Sequence, residues 1–254
     1  MFAHYAEFIQ NHTFDESKAA LPAELLIEKS GDIEVYYAPF DHINTDARVV
    51  ICGITPGRKQ AREALKTASQ RLRQRDSIEV VSHAAKLSAS FKDLRPNLTR
   101  LLNSIGMSEK LDIACCSELF EEKSHLVHNT SALRYPVFKS GANYSGTPSM
   151  VRNPLLRKQI DTYLIPELSR FDEATIVIPL GAKVENALHY AVQAGALNED
   201  QILAGLPHPS GENGERIAYF LGEKPAEKLS VKTNASIIDA AKSSILAKVA
   251  HLKS

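Results

Sequence analysis

Two short segments hold the residue types and spacing of a working site. The first is Gly53-Ile54-Thr55-Pro56-Gly57-Arg58. Its glycines permit backbone paths that a Cβ resists. A long helical pattern follows, so peptide N–H groups and a helix start sit where an anion is favoured, either a phosphate or a departing base. The segment lacks the Gly-Lys-Ser/Thr ending of a Walker A loop. The second is Pro207-His208-Pro209-Ser210-Gly211. Its prolines restrict the backbone on either side of His208, and Ser210 is a residue type that caps helix starts. Taken singly, the first segment reads equally well as a plain strand–helix turn, and His208 as a structural histidine.

The elements around them are those of an α/β protein. Residues 2–11 form a short helical pattern, and Asp32–Ala38 reads as a strand by its β-branched and aromatic content. Arg48–Gly53 is a short apolar run of buried-strand type that ends in the first loop. Leu111–Cys116 is the next such run, after a helix over Asn97–Ile105. Ala174–Leu180 is the third and Gln201–Leu206 the fourth, running into the His208 loop. Between them lie a long polar loop, Ser117–Asn153, and helices over Leu155–Phe171, from Gly181 to Val192, and up to Phe220. An amphipathic tail helix covers Ala235–Leu252, with Ile237, Ile238, Ala241, Ile245 and Val249 on one side. This order predicts a three-layer αβα sandwich around a mostly parallel four-stranded central sheet, in one domain spanning 1–254. Ligands of such sheets lie beyond the carboxyl ends of the strands, where both loops fall.

The bulk composition narrows the class. The chain has 254 residues, 44% apolar and 24% charged, with 30 basic and 30 acidic side chains. Apolar runs are far shorter than the roughly 20 residues of a membrane span, and the N-terminus lacks a basic start and apolar signal core. A monomer in the cytoplasm, away from membranes, is the expectation. Three cysteines, Cys52, Cys115 and Cys116, give no disulfide framework, and Cys52 and Cys115 read as buried thiols. Net charge is zero, so no global field draws the chain to a polyanion. Yet Gly57–Arg75 holds seven basic residues against Glu63 alone. Such a run either follows a phosphate backbone or forms a solvated helix face.

Together, GITPG after one buried strand and HPSG after the last resemble the two signature motifs of the uracil-DNA glycosylase superfamily, over roughly Arg48–Gly222. The resemblance implies that a nucleotide leaves the stack, enters a pocket, and loses its base as charge separates. It assigns Thr55 to the attacking water and His208 to the departing base's oxygen. Ile54, Phe91 and Cys115 would hold the base, with Phe91 stacking on it and Tyr37 and Phe40 as substitutes. Gly57, Arg58, Lys59, Ser210, Gly211 and Asn213 would hold phosphates. The partner would be DNA, with no metal or organic cofactor.

Three positions depart from that pattern. Thr55 stands where many relatives carry Asp, Asn or Glu, and its hydroxyl is a poor base, leaving charge stabilisation or a carboxylate such as Asp41, Asp46 or Glu118 to help. Cys115 falls about where relatives place the uracil-reading Asn, and a thiol cannot copy an amide's paired contacts. Glu212 replaces an apolar wedge. These departures point to another base, bulkier or modified. His125, His128, Asn129, Arg134, Tyr135, Asn143 and Tyr144, in the long loop, are candidates to read it. The leading expectation is a DNA glycosylase for a non-canonical or modified base. The alternatives are a weak or inactive module that binds modified DNA or nucleotides, and an enzyme of free nucleotides or nucleosides.

Overall fold

The computed structural model describes residues 1–14 and 20–251. The expected end of the tail helix at Leu252 lies outside them. In chain order the helices are α1 (Phe2–Asn11), α2 (Arg58–Arg73), α3 (Ile78–Ala89), α4 (Arg95–Ser104), α5 (Met107–Leu111), α6 (Pro154–Gln159), α7 (Ile165–Leu168), α8 (Ala182–Gln193), α9 (Gly214–Phe220) and α10 (Ala235–His251). The strands are β1 (Leu26–Ser30), β2 (Ile33–Tyr36), β3 (Val49–Gly53), β4 (Val127–Ser131), β5 (Val137–Lys139), β6 (Ala142–Asn143) and β7 (Ile176–Pro179). They form two sheets, one in the order β1-β2-β5-β6 and one in the order β4-β3-β7. The fold is therefore mixed α/β.

The contacts divide the chain into two compact units. The first comprises Met1–Ile43, Gly53–Lys92 and Asn129–Glu167; the second comprises Asn44–Cys52, Asp93–His128 and Leu168–Ser254. In the first unit, β1, β2, β5 and β6 pair antiparallel, with Val35 opposite Val137. Helix α2 buries Ala61, Ala64, Leu65 and Ala68, a spacing that makes one helical stripe. Helix α3 starts where the Ser77 hydroxyl accepts from the Val80 amide, and its buried residues include Val81, Ala85 and Ala89. Small residues on both stripes let the two helices pack closely.

In the second unit, β3 pairs parallel with β7, Val49 opposite Ile176 and Ile51 opposite Ile178. Both strands are buried at every residue. A strand buried throughout must be covered on both faces, which is why these segments are continuous apolar runs rather than alternating ones. Helix α10 buries Ile245 and Val249 and lies against Gly205, where a Cβ would stand 3.0 Å from that of Ala241.

Several expectations change. Leu111–Cys116 is not a strand: Leu111 ends α5, Asp112 turns the chain with φ +55°, and Cys116 opens a 3-10 turn to Phe120. The polar stretch Ser117–Asn153 is not a loop, because it contains β4, β5 and β6. Gln201–Leu206 contributes a single parallel bridge, Ile202 to Val177, so the parallel sheet has three strands rather than four. The region 155–171 is helical but passes through a π turn at Ile160–Leu164. On the tail helix, Ile237 is 66% exposed, so its buried face is narrower than the apolar pattern implies.

Candidate functional site

In the first unit, the GITPG loop and helix α3 frame a small cavity. It is lined by Phe40, Pro56, Gln60, Lys86, Ser90, Phe91, Asn129, Thr130, Ser131 and Arg134. Its volume is about 10 Å³, enough for one water. A nucleobase enters only if the lining moves. Phe91 is buried and has φ +52°, a region that costs a bulky residue about 1–3 kcal/mol and recurs at functional sites. Its ring explains the first glycine of the loop: a Cβ on Gly53 would meet Phe91 Cε1 at 3.0 Å and Ser131 Oγ at 3.5 Å.

Much of the cavity's polar lining is satisfied by protein. Gln60 accepts from the Gly57 amide at 2.9 Å and donates to the Ala89 carbonyl. Ser90 donates to the Lys86 carbonyl. Arg134 donates to Glu167 and to the Tyr163 carbonyl, and the Glu167 side chain is fully buried. By contrast, Asn129 Oδ1 and Thr130 Oγ1 are buried and have no hydrogen-bond partner among the described residues. A buried, unpaired acceptor costs about 1–3 kcal/mol. Such atoms mark where a ligand or water completes the bonding.

The rest of the loop is tied down. Thr55 Oγ1 donates to the Tyr135 carbonyl and accepts from the Val137 amide, both at 3.0 Å. Its only proton is thus committed to the backbone just before β5. The Ile54 carbonyl accepts from the Leu133 amide. Gly57 caps α2, and a Cβ there would stand 3.3 Å from Asn143 Nδ2. The Arg58 amide donates to Asn143 Oδ1, while its guanidinium lies over Phe138 and donates to Gly141. The Gly57 and Arg58 amides at the start of α2 are therefore satisfied internally rather than open to an anion. Lys59 is exposed and lines a groove of about 450 Å³ with Arg58, Arg62, Glu63, Lys66 and Asn143.

The expected carboxylate Asp41 is also engaged. It accepts from Tyr37 Oη at 2.7 Å and Tyr135 Oη at 2.8 Å. Burial, with Asp41 alongside, pushes both tyrosine hydroxyls well above their ordinary range.

In the second unit, His208 follows the bridge at Ile202 and is half-buried. The Ser210 amide donates to Nδ1 at 3.3 Å, which makes Nδ1 the acceptor and leaves the proton on Nε2. Burial lowers its pKa from the ordinary value, against a smaller opposing pull from Glu212. Gly181, with φ +98°, brings the backbone after β7 close to His208 Cδ2. Asn97 on α4 donates to the Pro209 carbonyl and pins the loop. Ser210 holds the cap position of the turn Gly211–Asn213 but makes no side-chain cap bond; its hydroxyl accepts from Asn213 Nδ2 at 3.0 Å.

Cys115 is corrected. It is half-buried off any strand, and its Sγ accepts from Asn103 Nδ2 at 3.2 Å. Hydrogen bonds from Ser117, then Asn103, lower its thiol pKa. The strand beside β3, opposite β7, is β4, and it carries Asn129 with an amide at the cavity wall. The sequence singles out Asn129 and Arg134, but as loop residues. It does not point to Gln60, Lys86, Ser90, Thr130 or Ser131. One signal existed for Lys86: it falls four residues after Ser82 and three before Ala89, on the buried stripe of α3.

No family model matches the chain, and no solved structure matches it. It is similar to the uncharacterized protein YoxB of Bacillus subtilis (strain 168), with 32% identity over 216 residues, 84% of each chain. The chain belongs to the family of that Bacillus subtilis protein.

Proposed function

We propose that the chain is a DNA glycosylase that removes a non-canonical or modified base by hydrolysing its N-glycosidic bond. One observation carries the reading: in the first unit the GITPG loop, the Phe91 ring and an unpaired Asn129 amide oxygen border one cavity. An aromatic face is worth about 1–3 kcal/mol per stacked base. A buried amide oxygen selects an N–H on the base edge, because a base without one leaves that oxygen unpaired. The groove of Arg58, Lys59, Arg62 and Lys66 suits a phosphate backbone. The likeness of the HPSG loop gives His208 the departing base's oxygen; a neutral imidazole with its proton on Nε2 is a suitable donor.

A second reading, recognition without cleavage, is favoured by Thr55, whose proton is held by the Tyr135 carbonyl. Both readings meet one experiment. Pure protein is incubated with DNAs carrying uracil, deaminated purines, or hydroxymethylated and glucosylated cytosine, and released bases are identified by mass spectrometry. Release that falls in Asn129→Ala and His208→Ala supports a glycosylase. Salt-dependent binding without release supports the module. Neither release nor binding on any of these DNAs sinks both.

A further inference from the structure

The last residues of β4, Asn129 to Ser131, run along the cavity wall. Residues two apart on a strand share a face and lie about 7 Å from one another, so the Asn129 and Ser131 side chains are neighbours on one side. Ser131 is half-buried where the four residues before it are buried. Its place is fixed from the next residues: the Ala132 amide donates to the Gly53 carbonyl at 2.8 Å, and the Leu133 amide to the Ile54 carbonyl at 2.9 Å. A Cβ on Gly53 would lie 3.5 Å from Ser131 Oγ, and 3.0 and 3.6 Å from Phe91 Cε1 and Cζ. The hydroxyl thus stands at the rim of the aromatic ring. It has no hydrogen-bond partner among the described residues, so it is not spent on holding the fold.

Resting on the reading above that this cavity takes a flipped base, we infer that Ser131 is a specificity-determining residue, which selects a pyrimidine with a hydroxyl-bearing substituent beside the edge that Asn129 reads. A base laid on the Phe91 ring with one edge at Asn129 turns the adjacent ring position toward Ser131. A serine hydroxyl both donates and accepts, so it pairs with a substituent hydroxyl in either sense. Solvent reaches the half-buried Ser131 while the cavity is empty, and a bound base excludes it. A hydroxymethyl group replaces the lost hydrogen bond. A methyl group at the same place leaves Ser131 Oγ unpaired in a dry site. Selection therefore acts through the penalty on the wrong base. Phe91 and Asn129 cannot supply it, because every base has a face to stack and many carry an N–H.

Matched pairs isolate that one hydroxyl. Base release and affinity are measured on DNAs carrying thymine or 5-hydroxymethyluracil, and 5-methylcytosine or 5-hydroxymethylcytosine, for wild type, Ser131→Ala and Ser131→Thr. The expected result is a preference of about tenfold or more for the hydroxylated member of at least one pair, kept in Ser131→Thr and reduced to within about twofold in Ser131→Ala. If bases are released without that preference, or Ser131→Ala slows both members of the pair equally, Ser131 is only structural; the inference falls and the glycosylase reading stands. If bases are bound but not released, the preference is read from affinity: its loss in Ser131→Ala supports the inference while cleavage falls, and its absence in the wild type overturns the inference. If none of the four is released or bound by any form, the inference falls, and the wider panel described above decides whether the reading falls with it. Should Ser131→Ala fail to fold, Ser131→Gly removes the same hydroxyl; if neither folds, the wild type decides, and equal handling of both members of each pair overturns the inference.

Discussion

Gly53→Ala tests the cavity at its tightest contact. The new methyl would lie 3.0 Å from Phe91 Cε1 and 3.5 Å from Ser131 Oγ. Overpacking of this kind costs about 1–3 kcal/mol. Removing a glycine restricts the unfolded chain and returns about 0.4–1 kcal/mol. The clash wins, and a net loss of about 1–2 kcal/mol is expected. At this chain length that lowers Tm by about 2–8 °C. The double variant isolates the cause. Phe91→Ala costs about 3–5 kcal/mol as a cavity, offset in part by relaxing a ring residue held at φ +52°. With the ring gone, adding Gly53→Ala should cost nothing and can stabilise slightly. Thermal melts of all four proteins give the coupling, expected at about 1–3 kcal/mol. A Gly53→Ala loss that persists undiminished in the Phe91→Ala background would refute the argument, because the glycine would then be required for something other than the ring.

Four further outcomes are expected. Asn129→Leu removes a buried oxygen with no hydrogen-bond partner among the described residues, so it should raise stability by about 1 kcal/mol while lowering base affinity at least tenfold in a binding titration; a loss of both would assign Asn129 to the fold. Glu167→Ala leaves the Arg134 charge buried and should cost about 3–5 kcal/mol in urea unfolding, whereas Arg134→Met with Glu167→Leu should cost much less. The His208 imidazole should titrate by NMR below 6.5. Its folded value lies under the unfolded one, so the unfolded chain binds the extra proton and the fold loses this contribution as pH falls below about 6.5; a midpoint above 6.5 contradicts its burial. Lys59→Gln with Lys66→Gln should weaken DNA binding uniformly across sequences and reduce the salt slope by about two; an unchanged slope removes the groove from the DNA path.

The apolar strands were the legible part of the fold. Val49–Gly53 and Ile176–Pro179 are buried at every position, and burial on both faces writes itself as an unbroken apolar run. Val127–Ser131 is nearly as buried, yet its Val-His-Asn-Thr-Ser sequence hides it, since its polar side chains line the cavity or bond to segments far away in the chain, as His128 Nδ1 does in accepting from the Asn44 amide. The run Leu111–Cys116 misled for the opposite reason: its apolar residues close a helix end, and Asp112 in the left-handed region breaks any strand. The glycines of the first loop were legible as backbone requirements. The partners that impose them, Phe91 and Asn143, stand 38 and 86 residues away in the chain, and no local pattern joins them.

The polar groups near the loop also constrain what mechanism a glycosylase built this way would use. A hydrolytic base needs a lone pair facing water. The Thr55 hydroxyl gives its proton to one backbone group and accepts from another. Each Asp41 oxygen accepts from a tyrosine whose own proton is firmly held. Disturbing either would loosen the segment Tyr135–Val137, to which both are bonded, so recruiting them as bases conflicts with their structural duty. Water attacking an oxocarbenium-like sugar needs little activation, because the carbon is already strongly electrophilic. The barrier then lies in parting the charges, and on the proposed reading the group that the first unit offers to the base is the Asn129 amide. On this argument Thr55→Val should lower stability, by about 1–3 kcal/mol for the two backbone groups it strands, more than it lowers the rate of base release. A Thr55→Val protein that melts like the wild type but releases no base would reverse the conclusion and restore Thr55 to the water.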